Sequence, residues 1–352
     1  MDLLPGVRSA TVDTGRLRMH YLEAGPADGV PVVLVHGNLS TGRFYEHVLP
    51  GFPDAYRVIC PDMRGFGDSE QLPIDATRGL GDWADDLRSL VEALGIEGPV
   101  HLAGWSTGGA AIATYALRHP AASLTFIATV SPYGYGMTRV DGTPCFPDFA
   151  GTGGGTANPE FVARLRAGDR SAESASSPRN VMNSVYWRPD HREPADREDL
   201  LVGEMLKSLV GDDGYPGDST PSANWPGFAP GSRGILNALS PQYCDWSGIV
   251  DLPTKPPVLW TYGDADVVIA DASPLEFGTL GSLGVVPGWP GADTAPPQQM
   301  IAQTRAVLDR YVQRGGRVEV EVLAGSGHTP FVDAAEAWRE RFVRFLDSVT
   351  HA

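Results

Sequence analysis

The sequence predicts an α/β protein with a mostly parallel eight-stranded sheet, helices on both faces and one large insertion. Three observations predict it. The segments Pro31–Val35, Tyr56–Cys60, Val100–Ala103 and Leu124–Val130 are short apolar runs, the mark of strands buried on both faces. Helical patterns separate them near 42–50, 80–94 and 107–119. The alternation stops at about Ser131 and resumes at Pro257, so the chain between is inserted into one α/β unit.

Taken in order, residues 6–12 and 16–23 read as a hairpin around Asp13-Thr-Gly15. The four buried strands and their helices follow. Strand character returns at Pro257–Tyr262 and Arg317–Leu323, with helices near 297–314 and 333–348. Residues 1–130 and 252–352 therefore form the core. Residues 131–251 form a cap rich in Gly, Pro, Ser and aromatics, with helical patterns near 159–168, 178–187 and 196–210. A second insertion, 269–297, reads as a long loop carrying Pro287-Gly-Trp-Pro-Gly291, and a loop that long is unusual unless it is functional.

Gly104-Trp-Ser-Thr-Gly108 has the Gly-x-Ser-x-Gly pattern of a nucleophile elbow. In a chain with 42 glycines the motif alone says little. Its context says more. It follows the strand Val100–Ala103 and opens a helix of small residues, a strand–turn–helix that presents Ser106 at the sheet edge.

A serine nucleophile needs a base, and His328 lies in Gly325-Ser-Gly-His-Thr-Pro330, directly after the last strand. Loops at the carboxyl ends of parallel strands converge on one edge. The other histidines are placed less well. His101 lies inside a strand, His119 ends a helix, and His20, His47, His191 and His351 follow no core strand. The base needs an orienting acid, and Gly263-Asp-Ala-Asp266 offers Asp264 and Asp266. His36-Gly-Asn-Leu39 follows another strand and exposes backbone N–H groups. The amides of Asn38 and Thr107 are the expected oxyanion donors.

With these motifs in place, the chain resembles the α/β-hydrolase superfamily. His36-Gly37, Pro61-Asp-Met-Arg-Gly-Phe-Gly-Asp-Ser69, Gly104–Gly108, Gly263–Asp266 and Gly327-His328 stand in that family's order over about 6–130 and 256–350. The resemblance selects Asp266 over Asp264 as the acid. It implies structural work for Asp62 and Arg64. Serine at the elbow departs from haloalkane dehalogenases and epoxide hydrolases of this fold, which carry aspartate there.

The implied chemistry is acyl transfer to water from a carboxylic ester or lactone, with no metal or organic cofactor. The cap supplies the substrate evidence. Its aromatics point to a bulky, apolar, aromatic or macrocyclic substrate. His36, Trp105, Trp187, Trp225, Tyr243 and Trp246 are the candidate substrate contacts. Alternatives within the fold are a cofactor-free haloperoxidase and a carbon–carbon bond hydrolase. A small-molecule receptor with little turnover is the alternative from another class.

Composition narrows the partners. Apolar residues make up 42% of the chain and the net charge is −16, from 27 basic and 43 acidic residues. That charge repels phosphate backbones and anionic membranes, so the expected partner is a small ester or lactone. A homodimer stays open. The sequence has no run of about 18 apolar residues and no basic-then-apolar leader after Met1, so a cytoplasmic location is expected. Three cysteines, Cys60, Cys145 and Cys244, form no disulfide framework and no zinc spacing, while a Cys145–Cys244 pair stays open.

Overall fold

A computed structural model describes residues 2–350. Eight strands form one sheet: β1 (Val7–Asp13), β2 (Arg18–Ala24), β3 (Val30–Val35), β4 (Tyr56–Pro61), β5 (Val100–Trp105) and β6 (Ala121–Ile127) precede the insertion. After it come β11 (Val258–Gly263) and β12 (Val318–Leu323). The spatial order is β1-β2-β4-β3-β5-β6-β11-β12. β1 and β2 pair antiparallel, as do β2 and β4; every other neighbour is parallel. Parallel strands need crossover connections, and those bring α1 (Gly81–Ala93) and α2 (Thr107–Ala116) onto the sheet.

The strand sequences follow from this burial. Val32, Val33, Leu34 and Val35 are each at most 1% exposed, so no face of β3 can be polar. Each such side chain contributes roughly 1.5–3 kcal/mol by leaving water. The edge strand β12 differs, with Val320 and Val322 about two-fifths exposed and Glu319 and Glu321 paired with Arg341. Those charges blunt an open sheet edge.

Several sequence expectations shift. β6 ends at Ile127 rather than Val130, because Ala128 takes a left-handed φ of 42° and turns the chain out of the sheet. Residues 42–51 wind as a 3₁₀ helix with Pro50 inside it. The final helical stretch splits into α9 (Pro330–Asp333) and α10 (Ala335–Thr350). The inserted loop 269–297 is not structureless: it holds α7 (Phe277–Ser282). Its cap is Glu276, whose carboxylate accepts from Gly278 N and Thr279 N. Glutamate is outside the usual N-cap set, so sequence reading passes over this start. All three cysteines are free thiols.

The segment between β6 and β11 carries α3 (Pro159–Arg166), α4 (Pro178–Val185), α5 (Ala195–Met205) and α6 (Ile235–Ala238). Two small ladders accompany them: β7 (Val210–Gly211) with β8 (Tyr215–Pro216), and β9 (Ser219–Pro221) with β10 (Phe228–Pro230). Between β11 and β12 runs α8 (Met300–Gln313). Among the described residues, no helix is long and apolar enough to cross a membrane.

The fold also sets a pH window. Burial lowers the His36 and His101 imidazoles to about 4, and burial with the adjacent Arg197 charge lowers His47 to about 3. In the unfolded chain these groups protonate near 6.5. Between pH 6.5 and 4 the unfolded state therefore binds protons that the folded state refuses. Stability should fall as pH drops through that window, by up to about 1.4 kcal/mol per pH unit for each histidine. His20 runs the other way. Burial opposes its charge, but the Asp62 hydrogen bond and charge raise it, so its contribution is present in acid and fades on alkalinisation. Urea denaturation at pH 7, 6 and 5 measures the balance. A free energy flat across that range would contradict the neutral burial of these histidines.

Candidate active site

Ser106 sits between β5 and α2 with φ 53° and ψ −115°, a conformation L-residues avoid. Such a residue costs on the order of 1–3 kcal/mol and persists only when its surroundings hold it. Here Ser106 N donates to Ile127 O at 2.9 Å, and Val130 N donates to Ser106 O at 3.2 Å. The flanking glycines serve space rather than φ. A Cβ on Gly104 would lie 2.2 Å from Gly108 O, and one on Gly108 would lie 2.3 Å from Val35 O. The positive φ thus falls on the serine itself.

His328 is 3% exposed and follows β12. Its Nδ1 lies 2.8 Å from Asp266 Oδ2. The other oxygen of Asp266 accepts from Val268 N at 2.7 Å and Ile269 N at 3.1 Å, so three contacts hold this buried carboxylate. Asp264, left open with Asp266 by spacing alone, is exposed and accepts from Gly325 N at 2.6 Å. It ties two loops together and makes no bond to the histidine. Trp105 joins the two halves of the site. Its indole N–H donates to His328 O at 2.8 Å, and its ring lies 5.4 Å from the imidazole.

The loop after β3 lies against the elbow, since a Cβ on Gly37 would be 3.2 Å from Ser106 Cβ. Gly37 O accepts from His36 Nδ1 at 2.7 Å and from Ser40 Oγ at 2.9 Å. Met63 N donates to His36 Nε2 at 2.9 Å, which matches the neutral imidazole that burial favours. A trans peptide is planar, with its C=O and N–H antiparallel. Two donors on Gly37 O therefore fix the opposite-pointing N–H of Asn38. Leu39 beside it takes a φ of 49°. Thr107 opens α2, where first-turn N–H groups have no intrahelical acceptor. The side chains of both residues keep a buried, unpartnered oxygen, Asn38 Oδ1 and Thr107 Oγ1.

The six candidate substrate contacts separate. His36, Trp105 and Trp246 are core residues, each at most 1% exposed. Trp246 stacks on Phe126 and donates to Val130 O. Tyr243 donates to Gly231 O within the insertion. Trp225 packs edge-on to Phe277 in a separate apolar cluster with Met137 and Trp289 and donates to Pro287 O. Trp187 stays beside the candidate site: its backbone would lie 2.5 Å from a Cβ on Gly327, and its indole N–H is buried without a partner. Tyr186, an aromatic of the inserted segment outside those six, has its ring 5.4 Å from Trp105 and 6.5 Å from His328.

A second Ser–His–Asp array lies elsewhere. Ser9 Oγ is 2.8 Å from His20 Nε2, and His20 Nδ1 is 2.7 Å from Asp62 Oδ2, beside a cavity of about 390 Å³. Asp62 also accepts from Gly42 N and Asp68 N, and Ser9 stands on the exposed edge strand with no helix N-terminus behind it. This array staples β1, β2 and the loop after β4. Arg64 pairs with Asp86 in the same structural role. The remaining histidines stand apart from Ser106 in the contacts they make, and His351 lies outside the described residues.

Comparison with known proteins agrees with this architecture. Residues 30–177 match the family described as alpha/beta hydrolase fold. A cis-3-alkyl-4-alkyloxetan-2-one decarboxylase of Xanthomonas campestris pv. campestris is 38% identical over 128 residues, 34% of this chain and 39% of the relative. A bifunctional esterase/perhydrolase of Acinetobacter calcoaceticus is 33% identical over 128 residues, 35% of this chain and 44% of the relative. The chain thus spans about two-fifths of the length of these relatives. A solved thermophilic esterase from Thermogutta terrifontis superposes with a TM-score of 0.58 at 19% identity, covering 97% of this chain and 99% of that one. On its sheet order, its matched segment and this superposition, the chain has the α/β-hydrolase fold.

Proposed function

We infer that this hydrolase cleaves a carboxylic ester or lactone of a bulky apolar small molecule through an acyl-enzyme on Ser106. The observation that carries the reading is the Asp266–His328 hydrogen bond at the same sheet edge as a strained serine opening a helix. Asp266 accepts the Nδ1 proton of His328, which leaves Nε2 basic. His328 takes the Ser106 proton as Oγ attacks the carbonyl. The N–H groups of Asn38 and Thr107 hold the oxyanion. His328 then returns the proton to the departing alkoxide and activates water for deacylation.

A relative named for an esterase supports acyl chemistry at such a site. Trp187 supports an apolar wall, and the segment 131–251 acts as a cap over the sheet edge. No cofactor takes part in this scheme. The test is turnover of p-nitrophenyl esters from acetate to decanoate and of an aryl macrolactone, with fluorophosphonate labelling mapped by peptide. Turnover that rises with acyl bulk, and label on Ser106, are expected. No turnover with any ester and no label on Ser106 would overturn the reading.

A further inference from the structure

The residue that joins the insertion to the candidate site is Tyr186, immediately after α4. Its hydroxyl lies 3.1 Å from Asn38 O and 3.1 Å from Leu39 O, and its single proton is shared between the two carbonyls. Its own carbonyl accepts from Thr329 Oγ1 at 2.7 Å, next to His328. The following residues continue the attachment. Arg188 N donates to Asp333 Oδ2, which also accepts from Gly327 N, while Asp333 Oδ1 accepts from Ser326 Oγ. The Tyr186 ring is buried and wedged between Phe44 and Trp105.

The loop that Tyr186 grips would not hold its shape alone. Leu39 has a left-handed φ that a bulky side chain disfavours, so the loop needs external bonds to stay there. His36 and Ser40 anchor the peptide before Asn38, and Tyr186 anchors the two after it. Through Thr329 the same residue also braces the histidine loop.

We propose that Tyr186 is a positioning residue, a two-way brace by which the inserted segment sets the geometry of the oxyanion loop through its hydroxyl and of the His328 loop through its carbonyl. This rests on the serine-hydrolase reading above. It also changes the role of the insertion. Besides covering substrate, the insertion completes the catalytic geometry, so its excision would slow small esters as well as bulky ones.

The test uses the full chain with p-nitrophenyl acetate and a longer ester. Tyr186→Phe keeps the ring and removes only the bond to the oxyanion loop. It should lower kcat about tenfold or more, since small misplacements near the reacting atoms are costly, with KM within about twofold. Thr329→Val keeps that bond and removes the other. It should lower kcat several-fold, again at constant KM. It also serves as the independent arm if Tyr186→Phe does not fold. A rise in KM at constant kcat would make Tyr186 a substrate contact and overturn the proposal. Unchanged kinetics in both variants would overturn it too. An inactive wild type would instead defeat the hydrolase reading itself.

Discussion

Ser106→Ala is expected to keep its fold and lose ester hydrolysis by at least ~10³-fold in kcat. Alanine retains the Cβ, so the strain at φ 53° is unchanged, and the backbone bonds to Ile127 and Val130 do not involve the hydroxyl. What disappears is the atom proposed to form the acyl bond. Residual rate over water would come from the oxyanion donors and substrate binding alone. The measurement is kcat on purified protein whose circular dichroism and melting match wild type. A near-wild-type rate would exclude Ser106 as nucleophile and turn attention to the Ser9–His20–Asp62 array.

The second large effect separates two neighbouring carboxylates. Asp266→Asn should lower kcat by roughly 10²–10⁴-fold. The amide oxygen can still accept from Val268 N and Ile269 N, and the loop is kept. The amide nitrogen then faces His328 Nδ1 as a donor, which moves the imidazole proton to Nε2 and removes the base. Asp264→Asn leaves an oxygen for Gly325 N and should change kcat by only about twofold. Equal losses, or a larger loss at Asp264, would defeat the assignment of Asp266.

Sequence reading reached the core because parallel strands buried on both faces must be continuous apolar runs, as in Val32–Val35. It located the elbow because Gly104 and Gly108 have backbone oxygens where a Cβ would go, a local demand that leaves a local pattern. It misplaced the end of β6 because the turn at Ala128 is made by an ordinary apolar residue with positive φ. It missed α7 because a glutamate caps it.

The aromatics show the limit most plainly. The aromatic residues of the inserted segments look alike on paper, since composition carries no direction. Only tertiary structure put Trp246 on Phe126 in the core, Trp225 in a separate cluster and Trp187 beside Gly327. The contacts of Tyr186 were illegible for the same reason. Its partners, Asn38, Leu39 and Thr329, lie more than 140 residues away, and no spacing rule reaches that far. The sequence by itself determined the strand order along the chain, the strained serine and its candidate partners, because each is written in residues close together. The contact of Asp266, rather than Asp264, with His328 and the contacts of Tyr186 with Asn38, Leu39 and Thr329 were decided by packing, which brings distant segments within hydrogen-bond reach.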